Sequence, residues 1–280
     1  MQLTPRYDGP ALLDLGARSG DPATPLLRQR ARLGATLSSL SPDEWAHPTR
    51  CEGWSVQDVI VHLTSTNQFW AVSMRAGLAG EPTRFLRTFD PVASPAELVD
   101  QARGSSTAEV LTGFLESSQA LAGVVGAVSG EQWDVVAEAP PGHLCLAGVA
   151  AHALWDSWIH ERDIVLPLGR DAVLEDDEVR EALRYAMALG PAFLAGDGTA
   201  EARTGTIALD ATDPDVQLTV ELGPTVVVRE GCAPGAEVRL AGPAVDLLEA
   251  LSFRRPIEAE VAAEHRWMLG GLGDVFDQPV

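Results

Sequence analysis

Along the first two thirds of the chain, apolar residues recur at helical spacing. Between Pro25 and Leu40, the residues Leu26, Leu27, Leu33 and Leu37 follow the helix period and predict a first helix. Ser41-Pro42-Asp43-Glu44 reads as a cap, a first-turn proline and a short helix through Trp45, and Thr49 to Trp54 reads as a loop. Ser55 can cap the next helix with Asp58 three residues on. Val56, Val59, Ile60, Leu63 and Phe69 give that helix an apolar stripe. A Gly- and Pro-rich break spans Gly77 to Pro91. Ser94-Pro95-Ala96-Glu97 opens a third helical stretch, with an interruption expected at Gly104, that runs to about Val128. Pro140-Pro141-Gly142 is a stop signal. Leu144 to Leu166 reads as a fourth helix and Asp176 to Ala195 as a fifth.

The pattern changes after Gly196. Gly205–Leu209, Val216–Leu222, Thr225–Arg229 and Glu237–Leu240 are short runs rich in apolar and β-branched residues, separated by Asp-Pro, Gly-Pro or Pro-Gly turns. Ala244–Leu251 and Ala262–Leu269 look helical again. The expected architecture is mainly α: an irregular segment over 1–22, a helical bundle over 23–198, and a small α+β domain over 199–280.

Composition narrows the function classes. Hydrophobic residues make up 46% of the 280, enough for a sizeable core. No apolar run approaches the ~20 residues that span a bilayer. Met1 to Leu15 lacks the basic and apolar regions of a signal peptide. A net charge of −20 repels nucleic acid phosphate and anionic membrane, so neither is expected as a partner. The chain has no lysine, which removes Schiff-base chemistry and the P-loop lysine. Its three cysteines, Cys51, Cys145 and Cys232, are widely spaced without a C-x-x-C, which fits a reduced, cytoplasmic compartment.

The chemistry-bearing residues gather on two helices. His152, Asp156 and His160 are spaced by four, Asp163 follows by three, and all fall within about 80° of one another on the helical wheel. Such groups on one side of an apolar helix are costly if buried unpaired. An internal hydrogen-bond network would compensate them; so would a divalent metal. Ligands at i and i+4 can converge on one ion, and bundles build metal sites from inward-facing carboxylates and histidines. Asp156 and His160 would supply two ligands and His62, beside the stripe of the second helix, the third. That leaves an open position of the catalytic type.

The stretch Thr49-Arg50-Cys51-Glu52-Gly53-Trp54-Ser55-Val56-Gln57-Asp58-Val59-Ile60-Val61-His62-Leu63 resembles the signature loop and helix of the mycothiol-dependent maleylpyruvate isomerase family. Trp155-Asp156-Ser157-Trp158-Ile159-His160 occupies the place of the family's acid-x-x-x-His pair. Leu240 to Leu248 and Phe253-Arg254-Arg255-Pro256 are similar to its small second domain. The resemblance covers about residues 22 to 272. It implies a DinB-like four-helix bundle followed by a small α+β domain, with His62, Asp156 and His160 as ligands of zinc or another divalent metal. It also implies mycothiol as thiol cosubstrate and a small electrophilic molecule as substrate. The chain departs from the family at Asp156, where the isomerases typically carry Glu, one methylene longer.

The family brings a basic residue from the second domain to the site. Arg254 matches best and Arg255 next, as catalytic counter-charges for an anionic substrate. The expected activity is cis–trans isomerisation or thiol S-transfer. Two alternatives stand beside it: a zinc-dependent hydrolase or tailoring enzyme working without a thiol, and a non-catalytic binding or regulatory relative. Cys51, close in sequence to the site entrance, reads first as a small buried hydrophobe and second as a catalytic thiol, and His152 as a network residue or an orienting partner of the acid.

Overall fold

The computed structural model describes residues 4–18, 20–196 and 203–276. The helices α1 (Ala23–Ser38), α2 (Pro42–Trp45), α3 (Val56–Leu78), α4 (Ala93–Gln101), α5 (Thr107–Val125) and α6 (Leu146–Val165) build the N-terminal part. Three of them start on capping boxes: Ser41 with Glu44, Ser55 with Asp58, and Ser106 with Glu109. In each, hydroxyl and carboxylate satisfy amides that the first turn leaves without partners. α3 packs on α5 and α6, and α1 on α5 and α6, which closes a four-helix bundle. The third helical stretch is divided, as Gly104 foretold, into α4 and α5.

A polar seam runs through this bundle. The Arg30 side chain is 4% exposed and donates to Asn67 Oδ1 at 2.8 Å, Gln29 Oε1 at 2.7 Å and the Ala153 carbonyl at 3.1 Å. Arg32 bridges Glu161 and Glu178 at 2.7–3.0 Å. Burying a guanidinium is tolerable only with such complete pairing, so the seam fixes the register of α1 against its neighbours.

The structure corrects the sequence reading in two places. Val136–Ala139 (β2) and Gly142–Cys145 (β3) form an antiparallel hairpin, so Leu144 and Cys145 belong to a strand and not to the fourth helix. Pro140 and Pro141 are its turn. Gly142 has φ +118° and lies against the Arg6 backbone, where a Cβ would collide. The second correction is in the segment expected to be irregular. Leu13–Asp14 (β1) adds a parallel edge strand to β6 (Val226–Glu230) of the C-terminal sheet. Leu12 and Leu13 are 1% and 5% exposed, and their burial holds the strand in place.

That sheet has the order β1-β6-β5-β4-β7, with β4 (Gly205–Thr212), β5 (Val216–Leu222) and β7 (Val238–Pro243). β4 pairs antiparallel with β5 and parallel with β7. α7 (Asp176–Gly196) packs on α6, on β5 and β6, and on α8 (Ala244–Leu251) and α9 (Gly271–Phe276). One contiguous core therefore runs from Leu26 and Trp70 through α7 to Val220 and Leu240. The boundary expected at 198/199 lies outside the described residues. Among the described residues, no helix is long and apolar enough to cross a membrane.

Gly77, near the end of α3, tests the packing of the hairpin on the bundle. A Cβ there would strike the Val136 carbonyl and sit 3.0 Å from Ala137 Cβ. Gly77→Ala is expected to destabilise the fold by about 1–3 kcal/mol, read as a melting temperature lower by several degrees. An unchanged melting temperature would refute the close contact.

Candidate metal centre

His62 sits in the second turn of α3, and Asp156 and His160 on successive turns of α6. The packing of α3 on α6 turns all three inward. His62 Nε2 is 3.6 Å from Asp156 Oδ1 and His160 Nε2 is 3.5 Å from the same oxygen. The two imidazole rings meet edge to face with centroids 5.0 Å apart. One ligand atom from each of the three lies within 4.8 Å of the others. These separations are longer than good hydrogen bonds, yet the groups converge on one point.

Two polar atoms in this group, His62 Nδ1 and Asp156 Oδ2, are buried and have no hydrogen-bond partner. An orphaned carboxylate oxygen in such a place costs its full desolvation unless something else engages it. Burial would raise the Asp156 carboxyl, but the neighbouring imidazoles of His62, His160 and His152 hold it well below the usual range. An ionised carboxylate between two imidazoles, with an oxygen to spare, is the donor set a divalent cation takes.

The loop before α3 shapes one wall. Thr49 Oγ1 donates to the Trp54 carbonyl at 2.9 Å and Gly53 takes φ +77°, which brings Trp54 back over the helix start. The Trp54 ring then lies 5.5 Å, centroid to centroid, from the His62 ring.

Behind His160 lies a second group that the sequence did not disclose. Asp163, fully buried, accepts from His160 Nδ1 at 3.1 Å and from Cys51 Sγ at 3.2 Å. Arg254 grips both of its oxygens, Nε to Oδ1 at 2.8 Å and Nη2 to Oδ2 at 2.7 Å, and Arg50 Nε donates to Oδ1 at 3.0 Å. Cys51 Sγ is also 3.5 Å from His160 Nδ1 and 3.7 Å from Arg254 Nη2, so this thiol is a polar participant rather than a plain hydrophobe. Burial would raise the Asp163 carboxyl, but the Arg254 fork and His160 hold it far below the usual carboxylate range. Cys51, His160 and Asp163 also have metal-ligand spacing. An ion there would face two guanidiniums and a carboxylate whose oxygens are already engaged, so this group is a hydrogen-bond cluster.

Of the two arginines expected at the site, the structure brings in one. Arg254 touches the cluster through Asp163 and Cys51, while Arg255 pairs with Asp246 and, at 3.9 Å, with Glu258. Arg50 was missed. Its only sequence signal was its place in the loop motif, and it links Asp163 to Glu249 of α8.

His152 stands one turn before Asp156, hydrogen-bonded through Nδ1 to the Tyr185 hydroxyl and ringed by Trp70, Trp155 and Tyr185. Trp155 Nε1 in turn donates to Ser252 Oγ at 2.9 Å. Burial pushes the His152 imidazole down to about 4, against a weaker pull upward from Asp156.

Residues 26–165 match the family model of the mycothiol maleylpyruvate isomerase N-terminal domain, half of the chain. The chain belongs to that family. Two Mycobacterium tuberculosis proteins are similar to it: the uncharacterized protein MT0041 of strain CDC 1551 / Oshkosh and the uncharacterized protein Rv0036c of strain ATCC 25618 / H37Rv. Each is 30% identical over 167 residues, 58% of this chain and 57% of the relative. The match thus spans little more than half the length of those relatives. Crystal structures of the mycothiol-dependent maleylpyruvate isomerase and of a His-to-Ala mutant of it superpose with a TM-score of 0.58 at 15% identity. They cover 84–85% of this chain and 88–90% of theirs. The fold is therefore the DinB-like helical domain with an α+β part behind it.

The buried His152 generates a pH prediction. Its folded pKa, about 4, lies below the ordinary 6.5, so its contribution to stability is complete above pH 6.5 and declines as pH falls toward 4. Metal-free wild type should lose about 2 kcal/mol more stability than His152→Asn between pH 7 and pH 5, by denaturant titration. Parallel pH profiles would show that the imidazole is not buried as described.

Proposed function

We propose that the chain is a metal-dependent enzyme that uses a low-molecular-weight thiol, mycothiol, on a small electrophilic substrate. The observation that carries this reading is the convergence of His62 Nε2, His160 Nε2 and Asp156 Oδ1, with Asp156 Oδ2 left unpartnered. His62, Asp156 and His160 would hold the ion, zinc by the chemistry of the donors, in a site that keeps a position for a further ligand. When bound, the ion supplies Lewis acidity and a thiol in its thiolate form.

The protein's own residues do the rest. Trp54 covers one side of His62. Asp156, a methylene shorter than the Glu typical of the isomerases, would hold the ion closer to α6 or engage it through a water. Arg254 contributes positive charge beside the cluster, which offsets an anionic thiol and substrate held at close range. Its fork is occupied by Asp163, so that charge acts across the cluster rather than by gripping a carboxylate. Arg255, paired with Asp246, is given no part.

Family membership supports the thiol, and both isomerisation and S-transfer use it. The two separate by stoichiometry: isomerisation adds the thiol across a double bond and eliminates it again, whereas S-transfer consumes it.

Protein purified without chelator should carry one divalent ion per chain by elemental analysis. His62→Ala and His160→Ala should lose most of it while keeping a wild-type helical circular dichroism spectrum. Turnover of an anionic electrophile should need both the ion and mycothiol. Equal metal in wild type and variants, or none in any, would remove the metal reading; turnover unaffected by omitting mycothiol would remove the thiol.

A further inference from the structure

The distances around His160 divide its ring into two working ends. Nε2 faces Asp156 and His62, while Nδ1 faces Asp163 Oδ2 at 3.1 Å. A neutral imidazole carries one proton, and the nitrogen that is hydrogen-bonded to a carboxylate keeps it. With Nδ1–H donated to Asp163, the lone pair is left on Nε2, the atom aimed at the ligand group. A carboxylate behind a ligating histidine also makes the ring a stronger donor and fixes its rotation.

Asp163 can do this only if it stays ionised and still. It is fully buried, and a bare carboxylate there would be driven to protonate. The two arginines prevent that, and they come from far along the chain on either side. Arg50 belongs to the loop before α3 and also anchors by its backbone, donating N–H to the Asp163 carbonyl at 3.2 Å. Arg254 follows α8. Phe253 takes φ +57°, and Arg254 N donates back to the Glu249 carbonyl at 2.8 Å, a helix-ending turn that aims its side chain at α6. Glu249 Oε1 accepts from both Arg50 Nη1 at 3.0 Å and Arg162 Nε at 2.8 Å.

We infer that Asp163, clamped between Arg50 and Arg254, is the positioning residue that keeps the proton of His160 on Nδ1 and presents Nε2 to the metal, so that the end of α8 sets metal affinity from the C-terminal part of the chain. The inference rests on the metal reading above, and the loss of that reading would show separately. Arg254 thereby acts on the centre through Asp163, to which its Nε and Nη2 are both committed.

Two measurements on purified protein test this. In metal-free protein labelled with 15N at histidine, the His160 Nδ1 proton should be shifted downfield and slow to exchange. Asp163→Asn and Arg254→Gln should each speed its exchange, the first more. In competition with a chromophoric chelator for zinc, Asp163→Asn should bind about 10–100-fold more weakly than wild type, and Arg254→Gln should be weakened by a smaller factor. Arg255→Gln should match wild type in both. Should Asp163→Asn fail to fold, Arg254→Gln and the wild-type spectrum carry the test. A wild-type Nδ1 proton that exchanges freely, or a folded Asp163→Asn or Arg254→Gln with wild-type zinc affinity, would overturn the inference. If wild type and His62→Ala take up zinc equally, the metal reading has failed, and the Nδ1 proton still reports on Asp163.

Discussion

A single buried carboxylate, that of Asp163, sets the terms for the part of this molecule around His62 and His160. Removing it from water is unfavourable unless its charge is matched, and the match is made by Arg50 and Arg254. Each arginine brings a segment with it: the loop that carries Trp54, and the end of α8. The same carboxylate holds the back of His160. An electrostatic requirement at one residue thus becomes a geometric constraint on three parts of the fold at once.

A second buried network, around Arg30 and Arg32, plays the matching part at the other side of α6. Glu161 of that network and Asp163 lie two residues apart on the helix, and the arginines that meet them come from different elements. α6 is therefore fixed both in rotation and along its axis. Without that fixation the turn of helix that bears Asp156 and His160 could slide past His62, and a shift of about 1 Å is enough to spoil such a convergence.

The helical scaffold and the polar face of α6 were readable because their signals are local. Capping boxes sit within four residues, the apolar stripe repeats within a turn, and His152, Asp156 and His160 share a face by spacing alone. His62 was readable through its place beside such a stripe. The partners of Asp163 were not, because Arg50 and Arg254 are separated from it by 113 and 91 residues and helical spacing does not say which distant cation meets it. The contacts of Cys51 with Asp163 and Arg254 are hidden for the same reason, although the side chain also packs on the apolar cluster around Val56 and Ile60. The β2–β3 hairpin was hidden by the two prolines of its turn, which also suit a helix stop, and each strand is only four residues long. β1 is two residues long and exists through pairing with β6, a contact no periodicity can announce.

α7 ties the two parts of the molecule together. Val179, Leu183, Tyr185, Met187 and Leu189 are all buried, because the helix meets α6 on one side and the sheet on the other. A helix with two apolar faces cannot be left exposed on either. The C-terminal part is consequently not a detachable accessory: a different sheet grafted behind this bundle would have to reproduce the surface that α7 offers. The bundle that carries His62, Asp156 and His160 and its α+β companion are tied together by that one shared helix.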